Sequence, residues 1–220
     1  MDLSKKAISK LITSPNPVIL EVGMYDGEDA REMASEIPNS TIYGFECDPR
    51  SIALFKSFEN PKNIILNEVA IGAKNGLVDL YLSDSDVRRH YTDQDSWSAS
   101  SSIREPKTHL DLFPDVDFKK TVKVECVSLD NWHKKTMPDT VIDFVWADIN
   151  GAEYDMILGG QKTLNQFTKY LYIEFSDKEL YKGQPKKDEM LAFLEAFEVV
   201  AIYNFRGNFG NVLLRNKRII

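Results

Sequence analysis

Apolar residues recur at helical spacing at Leu3, Ala7, Ile8, Leu11 and Ile12, which predicts a leading helix over 2–13, closed by the stretch holding Pro15 and Pro17. The run VILEV (18–22) reads as a first buried strand. In EDAREMASEI (28–37), Ala30, Met33, Ala34 and Ile37 share one helical face. TIYGFEC (41–47) is a second strand. Asp48 is set to cap the next helix with Pro49 at its first position, and Ile52, Leu54, Phe55 and Phe58 supply the apolar side. NIILNEVAI (63–71) reads as a third strand.

Strand, helix, strand, helix, strand in that order calls for a parallel sheet covered on both faces. LVDLYLS (77–83) alternates apolar and polar residues, as a half-exposed strand does. The polar segment 84–120 breaks the rhythm and is expected to be a functional lid or loop. Regularity returns at TVKVECVSL (121–129), and VIDFVWAD (141–148) is a buried strand ending in an acid. GAEYDMILGGQKTLNQF predicts one helix, with Ala152, Met156 and Leu164 inward. YLYIEFS (170–176) is a strand and KKDEMLAFLEAF (186–197) an amphipathic helix. VVAIYNF (199–205) and NVLLR (211–215) flank a Gly-containing connection and predict a terminal hairpin. The expected fold is therefore α/β, a Rossmann-like single domain over 1–220. Its sheet is seven-stranded and mostly parallel, with a region inserted at about 77–128 that shapes an acceptor pocket or lid.

Composition narrows the partners. The chain has 220 residues, a formal charge of −7 and 43% hydrophobic residues, enough for a real core in one domain of ordinary size. Its basic residues are scattered, with short clusters only at Arg88–Arg89 and Arg215–Arg218, so nucleic acid is not the expected partner. Cys47 and Cys126 have no metal-binding spacing and read as buried free thiols in a reducing compartment. The N-terminus lacks the continuous apolar stretch of a signal peptide and no segment is long enough to span a bilayer, so the expected location is the cytoplasm.

In an open α/β sheet, ligands bind at the carboxyl ends of the strands. Those ends here carry Glu21, Gly23, Asp26 and Gly27 after the first strand, Glu46 and Asp48 after the second, and Ala70 near the third. Asp148 and Asn150 follow the fourth, and Glu174 ends the fifth. The first loop is not the GxGxxG of a dinucleotide site, since its carboxylates would repel a diphosphate. They suit a cationic amine or sulfonium, with glycines that let the backbone approach closely. An acid about twenty residues on, Glu46, is placed to accept from a ribose diol. A nucleoside with a positive charge and no diphosphate is S-adenosylmethionine. Tyr25 and Cys47, beside these acids, join the expected cofactor set.

VILEVGMYDG followed by GFECDP resembles the first motif and the ribose acid of class I S-adenosylmethionine-dependent methyltransferases. VKVECVSLDNW, VIDFVWADINGAEYDMILGGQKTL and YLYIEFS resemble the FkbM-type family in particular, with DINGAE (148–153) the most diagnostic piece. Two positions depart from that pattern: Trp146 stands where the family has Lys, and Asn150 where it has Glu. The resemblance implies methyl transfer from S-adenosylmethionine to a hydroxyl, of a sugar or glycan or of a polyketide. Candidate bases are Asp148, first in order, then Glu174, His90 and His109. Glu153 is expected to anchor its loop by accepting backbone amides. Asp148, Asn150 and Glu174 form a candidate oxygen site for Mg²⁺. Ser98, Ser100, Ser101 and Ser102 are candidate contacts for the methionine carboxylate or the acceptor. Trp97 and Tyr91 offer aromatic surfaces for a sugar, and His133 is expected at the surface. The alternatives are an NAD- or nucleotide-sugar-dependent oxidoreductase and a catalytically silent methyltransferase-like binding domain.

Overall fold

The computed structural model describes residues 3–85 and 98–220. In chain order the elements are α1 (Lys5–Leu11), β1 (Val18–Val22), α2 (Glu28–Glu36), β2 (Thr41–Phe45), α3 (Pro49–Ser57), β3 (Ile64–Asn67), β4 (Ala70–Gly72), β5 (Gly76–Asp84) and α4 (His109–Leu112). They continue with β6 (Asp117–Ser128), α5 (Leu129–Thr136), β7 (Ile142–Ala147), α6 (Glu153–Gly159), α7 (Gln161–Phe167), β8 (Thr168–Ser176), α8 (Lys187–Leu191), β9 (Phe197–Arg206) and β10 (Phe209–Asn216).

Among the described residues, seven strands form one sheet in the order β3-β2-β1-β7-β8-β10-β9. The first five are parallel, and β10 runs antiparallel to both β8 and β9. VILEV, buried from Ile19 onward, and the fully buried IDFVWA pair at the centre, as apolar runs must when helices cover both faces. One core lies between the sheet and α5 to α8, around Leu20, Val145, Met156, Leu171 and Ile173. The other lies under α1 to α3, around Ile8, Ile19, Met33, Phe144 and Tyr172. Asp48 caps α3 by accepting from Arg50 N, with Pro49 in the first turn, as the sequence predicts. No described helix is long and apolar enough to cross a membrane.

Three expected elements differ. Residues 63–71 do not make one strand: Asn67 ends β3 in the large sheet and Ala70 begins β4 in a second sheet ordered β4-β6-β5. The long β5–β6 antiparallel pair recruits β4 through Cys126–Ser128, and the apolar run is shared between two sheets. The helix expected after DINGAE is two helices that meet at Gly159 and Gly160. There α6 packs on β4 so closely that a Cβ on Gly159 would lie 2.1 Å from the Gly72 carbonyl oxygen. The last helix stops at Leu191, because Leu194 and Ala196 are drawn into the core and Phe197 starts β9.

At the edge of the sheet away from the strand carboxyl ends, buried Asp143 holds three segments together. It accepts from Ser14 Oγ, from Val18 N at 3.0 Å and from Lys169 Nζ at 2.7 Å. Removing one partner of a buried pair leaves the other charge desolvated. Lys169 still reaches some water, so Asp143→Ala should cost about 2–3 kcal/mol, below the usual figure for a fully buried pair. Chemical denaturation should show this as a lower midpoint with an unchanged slope.

Candidate active site

The carboxyl ends of β1, β2 and β7 open into a cavity of about 290 Å³. Its first wall is the turn after β1. Gly23 (φ +86°), Tyr25 (φ +51°) and Gly27 (φ +77°) all occupy the left-handed region. Two backbone donors, Gly23 N and Met24 N, converge on Phe45 O of β2 at 3.0 Å, while Val22 O accepts from Asp148 N at 3.0 Å. This stitching leaves no room for a side chain at 23, where a Cβ would sit 1.9 Å from the Asp148 carbonyl oxygen. Gly23, expected to make room for a ligand, lines the cavity, and its missing Cβ also makes room for the Asp148 carbonyl. Gly27 is not part of the cavity wall; it caps α2 and packs on the Phe55 ring, which a Cβ would approach to 2.5 Å.

Glu46 stands at the end of β2, facing the cavity. Its Oε1 accepts from Cys47 N and Asp48 N, both at 2.7 Å, and its Oε2 from Tyr25 N at 2.8 Å. A carboxylate has about four acceptor positions, so these bonds orient the group and leave one open, on Oε2. Burial pushes its carboxyl up to about 7 against the three amides, which favour the ionised form. Glu21, 2% exposed, also lines the cavity, and its Oε2 has no hydrogen-bond partner. Burial first, then Asp29, holds its carboxyl well above the usual range, while Lys5 and Arg31 oppose them. A buried orphan acceptor of this kind calls for a donor from a ligand, best a cationic one. Asp26 lines the cavity too; its Oδ1 accepts from the Glu28 amide.

Lys5 enters from α1. Its ammonium bonds Asp29 at 2.6 Å and lies 3.7 Å from the centroid of Trp146. The position at which the family pattern has a lysine is thus an aromatic ring with a cation from another element on its face.

Residues 98–102 cross the cavity as a roof. Ser101 Oγ donates to Asp48 Oδ2 at 2.8 Å, Ser51 and Ser98 hydroxyls meet at 3.0 Å, and Ser102 Oγ donates to Asn150 O at 2.8 Å. Ser101 and Ser102, expected to meet a ligand, spend their hydroxyls on the protein. Cys47 and Ala70 both line the cavity. Burial and the adjacent Glu46 push the Cys47 thiol far up, which makes it inert.

Carboxylate oxygens of Asp148, which lines the cavity, and of Glu153 and Glu174 lie within 4.8 Å of one another. Glu153 accepts from Ile149 N at 2.8 Å, the anchoring role expected of it. Burial, then Asp148, pushes its carboxyl to about 8, and burial with both neighbours holds Glu174 well above the usual range. Three such groups stay together only by sharing protons or a cation. Hard oxygen donors suit an ion of the Mg²⁺ class. Asn150, expected in that set, turns its amide elsewhere: Nδ2 donates to Ala99 O at 3.0 Å and Ser101 O at 3.3 Å.

His109 is buried among Phe113, Phe118 and Tyr181, and burial lowers it to about 4. It is not part of the cavity wall. His133, expected at the surface, is buried: α5 packs its ring 5.0 Å from Phe167, and Nε2 contacts Thr140 O. His90, Tyr91, Trp97 and Arg88–Arg89 lie outside the described residues. Tyr181 escaped the sequence reading. Its hydroxyl donates to Ser100 O at 3.0 Å, and its ring takes the space a Cβ on Gly151 would need. It sits in a polar stretch, where nothing in the pattern marks it.

A family model described as "Methyltransferase FkbM domain" matches residues 21–206. The chain is 40% identical over 215 residues to the 2-O-methyltransferase NoeI of Sinorhizobium fredii, covering 97% of this chain and 85% of that protein. Among solved structures, the FkbM methyltransferase of Methylobacillus flagellatus aligns with a TM-score of 0.55 at 10% identity over 96% of this chain. The chain spans about half of that protein, 48% of its length. Aeropyrum pernix fibrillarin, solved with natively bound S-adenosylmethionine, aligns with a TM-score of 0.50 at 15% identity, covering 96% and 74% of the two chains. At these identities the likeness is one of fold: the sheet and its helices are those of class I methyltransferases.

Gly23→Ala should destabilise the protein by at least about 2 kcal/mol, from a left-handed backbone and a forced shift of the Asp148 carbonyl. Thermal melting would register it. A variant as stable as wild type would contradict the packing described.

Proposed function

The chain belongs to the FkbM family of methyltransferases, and on that premise we propose that it transfers a methyl group from S-adenosylmethionine to a hydroxyl of a sugar or glycan. The observation that carries the cofactor reading is the orphan Oε2 of buried Glu21 in the same cavity that Glu46 lines. Glu21 takes the ammonium of the cofactor, and Glu46 uses its open acceptor position for a ribose hydroxyl. The cofactor supplies an electrophilic methyl group on a sulfonium. Membership of a methyltransferase family displaces the NAD-linked alternative.

For the acceptor, the support is the likeness to NoeI, a 2-O-methyltransferase, and the carboxylates grouped with Asp148. Grouped acids accept from neighbouring hydroxyls, which a sugar presents and a largely apolar polyketide presents sparsely. Asp148, the exposed member of the group, is the proposed base. Its carboxylate takes the proton as the acceptor oxygen forms its bond to the methyl carbon and the carbon–sulfur bond breaks. Burial raises the Glu153 and Glu174 carboxyls above the usual range and so disfavours their ionised forms beside Asp148. The roof over the cavity excludes water and aligns the reacting atoms.

Calorimetry with S-adenosylhomocysteine tests the cofactor. Wild type should bind, and Glu46→Ala should bind at least tenfold more weakly. Affinity should also fall as pH drops through about 7, where the Glu46 carboxyl takes a proton and stops accepting. The same group stabilises the fold in that direction. Its folded value lies above the ordinary 4.5, so between pH 7 and 4.5 the folded state holds the extra proton. Weaker binding without lower stability is the expected signature, and Glu46→Ala should show no such step. Asp148→Asn should lose methyl transfer by about 10²–10⁴-fold while keeping cofactor affinity within a few-fold. Full turnover in that variant would remove Asp148 as the base.

A further inference from the structure

Three consecutive carbonyls of the 98–102 segment each receive a side-chain donor from residues about fifty to eighty positions further along the chain. Asn150 Nδ2 serves Ala99 O at 3.0 Å and Ser101 O at 3.3 Å, and Tyr181 Oη serves Ser100 O at 3.0 Å. The Asn150 carbonyl in turn accepts from Ser102 Oγ at 2.8 Å. The segment is also fixed separately, through Ser101 to Asp48 and Ser98 to Ser51. Ser98, Ala99, Ser101, Ser102 and Asn150 all line the cavity beneath.

The residue at 150 meets two demands at once. Its φ is +54°, a conformation in which asparagine is among the few favoured non-glycine residues. Its side chain must donate to two carbonyls. Glycine meets the first demand and lacks the donor. A carboxylate has no proton to give and would turn its lone pairs on the carbonyls.

We propose that Asn150 is a positioning residue that latches the 98–102 segment across the cavity and ties it to the turn carrying Asp148. Cofactor and product exchange then requires this latch to open. The exchange step rests on the cofactor reading above; the latch itself does not. Asn150 lies two residues beyond Asp148, so the same bonds that close the roof hold the proposed base in place.

Two variants separate shape from donation. Asn150→Asp keeps the size and removes the donor, and Asn150→Gly keeps the backbone conformation and removes the amide. Hydrogen exchange of backbone amides 98–104, followed by mass spectrometry on ligand-free protein, is the first readout. Loss of two neutral hydrogen bonds should speed exchange there about tenfold in both variants. The second readout is dissociation of S-adenosylhomocysteine by stopped flow, expected to accelerate by a similar factor. Tyr181→Phe, which removes the middle bond alone, should have a smaller effect of the same sign and serves if the position 150 variants fail to fold. Exchange at 98–104 unchanged in all folded variants would overturn the latch. Faster exchange with unaltered dissociation would overturn its control of ligand exchange. A wild type that binds no S-adenosylhomocysteine would sink the cofactor reading and leave the exchange result decisive for the latch.

Discussion

The site depends on one close contact, between the backbone of Gly23 and the carbonyl of Asp148. With no Cβ at 23, the turn after β1 lies against the end of β7, and the chain takes a left-handed conformation there. Gly23 N and Met24 N then reach Phe45 O, and Asp148 N reaches Val22 O. The ends of three strands are locked to one another by backbone groups alone. Glu21, Glu46 and Asp148 ride on those ends, so their separation across the cavity is a property of the sheet.

Charge is the second organising feature. Glu21, Glu46 and Asp148 line the cavity, Glu153 and Glu174 group with Asp148, and burial raises Glu21, Glu46, Glu153 and Glu174 together. Desolvated carboxylates cost free energy unless a donor or a cation meets them. The protein meets part of that cost internally. Three amides orient Glu46, Ile149 N serves Glu153, and Lys5 bonds Asp29 beside Glu21. The rest is a standing preference for a ligand that brings positive charge and hydroxyl donors. That preference and the family membership point to the same chemistry from independent directions.

The two departures from the family pattern look different once the neighbours are known. Trp146 offers a face to the ammonium of Lys5, so a cation is present although the residue in the strand is not one. Asn150 offers donors to a roof that a glutamate could only repel. Both were legible as anomalies in the sequence, and neither was interpretable there, because each answers to a partner far away in the chain. Neither departure argues by itself for a silent domain.

Local pattern by itself determined the alternation of strands and helices, the mostly parallel sheet, the capped start at Asp48–Pro49 and the acids at the strand ends. Each of these is written in neighbours a few residues apart, where period, cap and turn chemistry act. Tertiary structure alone decided that 63–71 is shared between two sheets, because β4 is claimed by the β5–β6 pair contributed by later residues. It alone buried His133, brought Glu153 into the acid group and joined Tyr181 and Asn150 to the roof. Those outcomes depend on hydrogen bonds and contacts between residues about fifty to eighty positions apart, or on packing between elements. Hydrophobic periodicity carries no trace of such pairings, since it reports which way a side chain faces and not what it will meet.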